Sequence, residues 1–240
     1  MSKNLYLLVL LILLFACKGE SKINNKAGSL LTIGQKTQLV EETVNLKSIN
    51  IKDIFLLLPN DVFPVEEISK ENRALLLKHI GENKAFEIST TPIGVCDIKN
   101  GYLNLTGSQY DWEMCYWNLR DGGKLVAVNN STETGSKIRV FFYDDGKLTE
   151  DYNYILGGEQ DYKLTDFIDI SQLSSKSREY AEQQFINGTY HLYYQLPQNA
   201  TSITISIDIN ELVDHDENYD DFYEASKNVI LKWENEEWKR

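Results

Sequence analysis

The 240-residue chain contains only three histidines and three cysteines, and this scarcity restricts the chemistry that its side chains can perform. The spacings His-x-x-x-His, Cys-x-x-Cys and His-Glu-x-x-His, which are typical of zinc sites, do not occur in the sequence. A Gly-x-Ser-x-Gly nucleophile turn and a glycine-rich phosphate loop are also missing. The sequence therefore predicts no zinc site of familiar spacing, no nucleophile turn and no phosphate-cradling loop.

Basic residues are scarce in the C-terminal part of the chain. Residues 1–150 carry 18 acidic and 17 basic side chains, whereas residues 151–240 carry 18 acidic and only 7 basic ones. Because the excess negative charge of residues 151–240 repels phosphate, we expect no nucleic-acid binding and no attraction of the protein surface to anionic lipid headgroups. A cationic protein partner would be attracted. The preferred interpretation is simpler, namely that the charge keeps the protein soluble.

Long apolar runs are missing too, apart from the twelve residues at positions 5–16. As a helix this run would be about 18 Å long, which is too short for a bilayer core of about 30 Å. Lys3 is the only charged residue among the first sixteen. A charged start followed by a short apolar core is typical of a secretory signal.

The run ends in Leu14-Phe15-Ala16-Cys17, which resembles the lipobox of bacterial lipoprotein signals. Leucine stands at position −3 and a small residue at −1, although Phe15 is bulkier than the usual residue at −2. The resemblance implies cleavage after residue 16 and acylation of Cys17 with palmitate-type chains, which hold a protein at a membrane. Residues 1–16 are then the signal peptide and residues 17–47 a tether. The alternative is a plain secretory signal with an incidental cysteine.

Between residues 48 and 158 the pattern predicts helices followed by an antiparallel meander. An apolar run at residues 54–58 stops at Pro59, and a second helix begins after the N-cap residue Ser69. Short turns rich in glycine and asparagine then separate runs of alternating apolar residues. The predicted strands lie at residues 94–99, 102–107, 112–119, 124–129, 137–143 and 147–150.

The first of these turns, Asn-Gly at residues 100–101, is a strong signal for a two-residue hairpin. Pairing across this turn places Ile98 opposite Leu103. The same register places Cys96 opposite Leu105 and gives the hairpin one consistent apolar face.

Two cysteines remain besides Cys17, and outside the cytoplasm they would favour a disulfide. Extending the register to the third strand places Met114 on the apolar face, so Cys115 points the other way. Cys115 would also lie two strands, about 9.5 Å, from Cys96. Two free cysteines are therefore predicted, unless a β-bulge changes the register.

Residues 159–240 are predicted to form a helix and a second antiparallel sheet. Ser175 is the predicted N-cap of a helix at residues 176–186, and Gly188 ends it. The predicted strands lie at residues 189–196, 202–209, 228–233 and 237–239. The fold class is thus α+β, with antiparallel sheets that are each packed by a helix.

The two halves share one local pattern. Residues 140–148 and 230–238 each contain an apolar strand that ends in an aromatic residue, an acidic turn and a short return strand. An internal duplication of two helix-plus-meander halves is therefore a hypothesis.

One acidic segment contains candidate calcium ligands. These are Asp214, Asp216, Asn218, Asp220 and Glu224. The spacing of the first four resembles positions one, three, five and seven of an EF-hand loop. Tyr219 stands where that loop has glycine, and Ala225 occupies position twelve, one place after Glu224. A nonstandard calcium site and a solvated acidic loop are both compatible with this pattern, and the solvated loop is preferred.

Aromatic residues crowd the third predicted strand. Tyr110, Trp112 and Trp117 are candidates for a binding surface on which exposed rings stack against sugars or form a protein-binding hot spot. The preferred interpretation is that such rings fill the space between sheet and helix. A carboxylate pair for glycoside cleavage cannot be chosen by spacing among 36 acidic residues.

The lipobox, the run at residues 54–59, residues 73–77 and the strand at residues 102–105 together resemble uncharacterised lipoproteins of Bacteroidota-type bacteria. The resemblance implies a small α+β protein of the outer membrane, on its periplasmic or surface face, and it transfers no catalytic residue. The leading hypothesis is a lipid-anchored binding or scaffold protein of the cell envelope. The alternatives are an acidic inhibitor or immunity-type protein against a cationic envelope enzyme, and an envelope hydrolase with a carboxylate site.

Overall fold

The computed structural model describes residues 49–107, 111–213 and 219–240. The predicted signal peptide, the predicted tether and Cys17 lie outside the described residues. Within those ranges, no helix has the length and apolar character needed to cross a membrane.

Three short helices precede the first sheet. Helix α1 (Ile51–Leu57) begins at Asn50, whose side-chain oxygen accepts a hydrogen bond from the Lys52 N–H at 2.9 Å. Helix α2 (Lys70–Lys78) begins at the predicted N-cap Ser69, and α3 (Lys84–Ile88) follows it. The caps satisfy N–H groups that have no partner inside a first helical turn, which explains where α1 and α2 begin.

A six-stranded antiparallel meander follows, with its strands in chain order. Its strands are β1 (Ile93–Asp97), β2 (Tyr102–Leu105), β3 (Asp111–Asn118), β4 (Lys124–Thr132), β5 (Gly135–Asp144) and β6 (Lys147–Glu150). All six predicted strands are confirmed, with ends that differ from the prediction by at most a few residues.

The register of the first hairpin differs from the prediction. Cys96 lies opposite Leu103, and the connecting loop contains the four residues 98–101 instead of two. The Asp97 carboxylate accepts hydrogen bonds from the Asn100 N–H at 3.0 Å and from its side-chain amide at 2.7 Å, and these bonds close the longer loop. The predicted pairing was wrong by two residues. A shift of two leaves the strand residues on their predicted faces, because side chains alternate with a period of two.

Both described cysteines are free thiols, as predicted. Met114 lies opposite Leu103, and Cys115 lies opposite Tyr102. Cys96, which also pairs with Leu103, therefore shares a face with Met114, and Cys115 points to the other face of the sheet. The sheet separates the two thiols.

A second antiparallel sheet contains four strands and is again a meander. Its strands are β7 (Leu192–Gln195), β8 (Ile203–Ile207), β9 (Val229–Glu234) and β10 (Glu237–Lys239). The helices of this part are α4 (Leu164–Phe167), α5 (Ser175–Ile186) and α6 (Tyr219–Ala225). Helix α5 is capped by Ser174, one residue before the predicted cap, because the Ser174 hydroxyl accepts from the Ser177 N–H at 3.1 Å.

The six-stranded sheet lies between two hydrophobic layers. Helices α1–α3 pack on the face that carries Met114, and the second sheet packs with α4–α6 on the face that carries Cys115. Residues of both predicted segments, 48–158 and 159–240, therefore pack in the hydrophobic layer on the Cys115 face, and the described residues form one compact unit. The α+β class with two antiparallel sheets is confirmed.

The duplication stays a hypothesis. Residues 140–148 and 230–238 fall on comparable hairpins, β5–β6 and β9–β10. The two meanders differ in strand number, and α6 separates β8 from β9.

A buried arginine joins the first two helices. Arg73 on α2 is 1% exposed, and its guanidinium donates hydrogen bonds to the carbonyl oxygens of Phe55 at 2.9 Å and Leu58 at 2.5 Å. It also donates to the Asn60 side chain at 2.6 Å and lies 5.0 Å from the centre of the Phe63 ring. Because the final carbonyls of a helix have no partner within it, the guanidinium completes the C-terminal end of α1.

We expect Arg73→Ala to lower the free energy of unfolding by about 3 kcal/mol, because the substitution leaves buried carbonyls without donors and opens a cavity. Urea unfolding followed by tryptophan fluorescence measures this change. Arg120→Ala is the matched control, since the Arg120 side chain contacts Asn235 at the surface, at 3.2 Å, and its loss is expected to cost about 0.5 kcal/mol or less. Equal losses for both variants would contradict the assigned role.

Candidate functional site

One face of the six-stranded sheet changes from apolar to polar along its strands. On β3 the face toward the second sheet carries Cys115 and then Glu113, and on the neighbouring β4 it carries Ala127 and then Asn129. Cys115 pairs with Ala127, and Glu113 pairs with Asn129, so the change occurs at the same level in both strands. The apolar end packs under the second sheet, and the polar end borders a cleft.

The cleft has a volume of about 450 Å³, within the range of about 300–1,000 Å³ that is usual for ligand pockets. Strands β2, β3, β4 and β7 supply nearly all of its walls, so its shape is set by sheet hydrogen bonding. Its described lining residues are Tyr102, Asn104, Leu105, Asp111, Trp112, Glu113, Asn129, Ser131, Thr132, Tyr193, Tyr194 and Gln195. This lining contains two carboxylates and no lysine, arginine or histidine.

Glu113 is a partly buried carboxylate that lines the cleft. Its Oε1 accepts hydrogen bonds from the Leu196 N–H at 2.7 Å and from the Asn129 amide at 3.1 Å. Its Oε2 accepts a hydrogen bond from the Tyr102 hydroxyl at 2.9 Å. Three donors from three different strand regions therefore meet at one carboxylate.

Burial raises the pKa of Glu113 above its usual range, although the three hydrogen bonds oppose the shift. Burial also raises the pKa of Tyr102, and the adjacent negative charge of Glu113 adds to that shift. Tyr102 is therefore a hydrogen-bond donor to the carboxylate and not a nucleophile, because its phenol stays protonated at physiological pH.

Side chains of the first sheet also pair with the outer edge of β7. The Tyr194 N–H donates to the Ser136 hydroxyl at 2.8 Å, and the Asn129 amide donates to the Tyr194 carbonyl oxygen at 2.7 Å. The Leu196 N–H donates to Glu113 in the same way. These side chains take the place of a neighbouring strand, so backbone groups that an edge strand leaves unpaired are satisfied.

A second, smaller depression of about 290 Å³ continues from the cleft and shares Tyr102 and Gln195 with it. Its other described lining residues are Leu196, Pro197, Gln198, Asn199, Ala200, Ser202 and Thr204. The two depressions adjoin at these shared residues, and amide and hydroxyl groups predominate in their described lining. We call this surface the polar groove.

The aromatic candidates from the sequence lie mostly in the core. Trp112 is 1% exposed, and its indole N–H donates to the Val62 carbonyl oxygen at 2.7 Å. Trp117 is 3% exposed and donates to the Thr201 carbonyl oxygen at 2.8 Å. Burial leaves neither ring a face on which a ligand can stack. Tyr110 lies outside the described residues.

The calcium candidates are described only in part. Asp214, Asp216 and Asn218 lie outside the described residues, while Asp220 and Glu224 are exposed on α6. Among the residues that the structure describes, no group of three or more His, Cys, Asp or Glu side chains is placed to hold a metal ion. The calcium site stays a prediction.

Two acidic residues of the C-terminal part, Asp208 and Glu211, have partners within the fold. Asp208 accepts a hydrogen bond from the Asn210 N–H at 2.9 Å and so caps a 3₁₀ turn. Glu211 accepts from the His191 N–H at 2.8 Å and lies 2.6 Å from the His191 ring nitrogen Nδ1. These two carboxylates stabilise local structure, and the proposed contact with a cationic partner stays untested.

Sequence reasoning did not single out Glu113, Asn129 or Tyr102. The available signal was the position of Glu113, an acid within the apolar and aromatic residues 112–117. A charged side chain on the inner face of such a strand requires buried partners. Those partners are non-local, because Leu196 is 83 residues away in the chain.

We expect Glu113→Ala to lower the free energy of unfolding by about 1–3 kcal/mol, because it leaves the Leu196 N–H and the Tyr102 hydroxyl without an acceptor. Glu113→Gln retains an acceptor for Leu196 and removes the buried charge. Folding raises the pKa of Glu113, so the folded chain binds a proton at this carboxyl more readily than the unfolded chain does. The wild type therefore becomes less stable as pH rises from the ordinary glutamate pKa through the pKa of Glu113 in the folded state.

Urea unfolding of the wild type and Glu113→Gln between pH 4 and pH 8 measures this dependence. The stability of Glu113→Gln relative to the wild type is expected to increase with pH across that window. If the stabilities of the wild type and Glu113→Gln changed with pH in parallel, the expected effect of the Glu113 charge would be contradicted.

Comparison with known proteins places the fold but not the function. No protein-family model matches the chain, and no curated protein matches it. The chain is similar to a solved structure, a domain of an uncharacterized protein from Porphyromonas gingivalis W83, with a TM-score of 0.55 and 15% sequence identity. The similarity covers 79% of this chain and 96% of that one. The chain therefore shares its fold with a domain from a Bacteroidota species, the group that the sequence resemblance indicated.

Proposed function

We propose that this chain is a non-catalytic binding protein of the cell envelope, anchored by a lipid on Cys17, and that the polar groove is its ligand site. The observation that carries the proposal is the cleft of about 450 Å³, whose walls are strands held in fixed positions. A preformed concave site with hydrogen-bonding groups on rigid elements is what ligand binding requires.

The bonding of Glu113 favours binding over catalysis. Both of its oxygens accept hydrogen bonds from the protein, and one donor is the Leu196 backbone N–H. A general acid or base must exchange a proton with substrate, whereas this carboxylate is committed to joining two sheets. The described residues of the cleft include no histidine or cysteine to take its place.

The membrane anchor rests on the sequence. The lipobox at residues 14–17 and the short apolar run before it support lipidation of Cys17. The structural neighbour from a Bacteroidota species accords with an origin among bacteria of that type. An outer-membrane position is part of the same proposal.

An envelope hydrolase is the second candidate, because Asp111 and Glu113 line the same cleft. They stand two residues apart on one strand, so their side chains share a face. Glycoside cleavage requires two carboxylates at one ligand, but the hydrogen bonds that Glu113 accepts count against this candidate. Conversion of a bound ligand into a smaller product, lost in Asp111→Asn, would favour this candidate over the binding protein.

We expect Cys17→Ser to move the protein from the membrane fraction to the soluble fraction of cells, because no acyl chain is then attached. Labelling with radioactive palmitate measures the acylation directly, and the Cys96→Ser variant is the matched control. An unlabelled wild-type protein, or equal membrane recovery of both variants, would contradict the anchor.

The groove is tested by filling it. We expect the wild-type chain to retain a small molecule from a protein-free envelope extract, and we expect Gln195→Trp to lose it, because Gln195 lies where the two depressions meet. Mass spectrometry of the washed complex detects the molecule. Ile186→Trp adds the same ring at an exposed end of α5 and should retain the ligand. Retention of nothing by the wild type, or equal retention by both tryptophan variants, would contradict the proposed site.

A further inference from the structure

We infer that the ligand of the polar groove is a neutral oligosaccharide. This inference rests on the proposed binding function and names the chemical class of its ligand. It follows from the charge, the hydrogen-bonding groups, the aromatic residues and the paired strand edges of the groove.

The charge of the groove excludes anionic ligands. Asp111 and Glu113 are its charged side chains, and the described lining of both depressions contains no lysine, arginine or histidine. A phosphate, sulfate or uronic acid would lose its hydration and meet only negative charge. A ligand without net negative charge is required.

The polar side chains match a ligand that both donates and accepts hydrogen bonds. Four amide side chains at least partly exposed line the groove, and an amide offers a donor and an acceptor, as a sugar hydroxyl does. They are Asn104, Gln195, Gln198 and Asn199. Asn104 is already fixed in orientation, because its side-chain oxygen accepts from the Val95 N–H at 2.7 Å. Fixed polar groups reduce the entropy lost on binding.

One tyrosine ring supplies apolar surface beside these polar groups. Tyr193 lines the cleft and is partly exposed, whereas the side chain of the neighbouring Tyr194 packs against the core on the other face of β7. The Tyr193 hydroxyl donates to the Glu133 carbonyl oxygen at 3.0 Å, which fixes the end of its ring. A pyranose ring has C–H faces that pack against aromatic rings while its hydroxyls reach the surrounding amides, so it fits this mixture of surfaces.

Peptide ligands are disfavoured by the strand edges. A peptide adds to a sheet by pairing with a free edge, but side chains of Ser136, Asn129 and Glu113 already pair with the outer edge of β7. Strand β2 is paired on both sides, with β1 and β3. A helical peptide needs a continuous apolar stripe, whereas amides and hydroxyls predominate along this groove.

The groove is also longer than one sugar ring requires. Its two depressions, of about 450 and 290 Å³, meet at Tyr102 and Gln195. A chain of several sugars would therefore contact both, and shorter fragments of the same sugar should bind more weakly.

The test is isothermal titration calorimetry of the full chain, purified in detergent, with four neutral probes: cellohexaose, maltohexaose, xylohexaose and chitohexaose. We expect at least one probe to bind and its affinity to be the same at low and high salt, because an uncharged ligand is not subject to ionic screening. Tyr193→Ala and Gln195→Ala should each weaken the binding at least tenfold. Tyr223→Ala, which removes an exposed tyrosine on α6, should leave it unchanged.

Two results would overturn the inference. The first is binding of none of the four probes, or binding that Tyr193→Ala and Gln195→Ala leave intact. The second is binding of a cationic probe, hexalysine, that weakens with salt and is lost in Asp111→Asn, which would show a cationic ligand. In either case, mass spectrometry decides whether the proposed binding function survives. Recovery of a different molecule from the wild type, and not from Gln195→Trp, would support the binding function without the oligosaccharide. Recovery of no molecule from the wild type would contradict both the binding function and the oligosaccharide.

Discussion

The hydrogen bonds that Glu113 accepts hold the two sheets of this protein together at their polar end. The carboxylate receives the Leu196 N–H of the second sheet and the Tyr102 and Asn129 side chains of the first. Asn129 and Ser136 extend the same pairing along β7. An edge strand that would otherwise expose unpaired backbone groups is thereby fixed against a sheet to which it does not belong. The position of β7, and with it one wall of the polar groove, depends on this contact.

Arg73, which is buried, and Glu113, which is partly buried, are stabilised by dipoles instead of counter-ions. Glu113 accepts from a backbone N–H, a phenol and an amide, and Arg73 donates to backbone carbonyls and an amide oxygen. Neither forms an ion pair within the described residues. Each charge costs desolvation free energy, and each fixes the relative position of two elements, because only one geometry satisfies all of its partners. Arg73 fixes the helical layer in this way, and Glu113 fixes the groove.

Local patterns in the sequence predicted the elements well, because capping residues, turn residues and alternation act over a few positions. Ser69 caps α2, and all six strands of the first sheet form where predicted. The hairpin at residues 98–101 was predicted with the wrong loop length, because the hydrogen bonds that Asn100 donates to Asp97 outweigh the preference for a two-residue turn. The groove could not be predicted, since Glu113 and Leu196 meet only when the sheets pack.

The sequence by itself determined the fold class, the faces of the strands, the free cysteines and the acidic balance of the C-terminal part. The proposed anchor also rests on the sequence alone, because residues 14–17 resemble a lipobox, which is a linear motif. Tertiary structure decided which polar residues are brought together and which aromatic residues are buried. Alternation assigns a side chain to a face, but it does not show what covers that face. Only the packing of the second sheet buries Trp117, engages Glu113 and leaves Tyr193 and Gln195 beside an open groove.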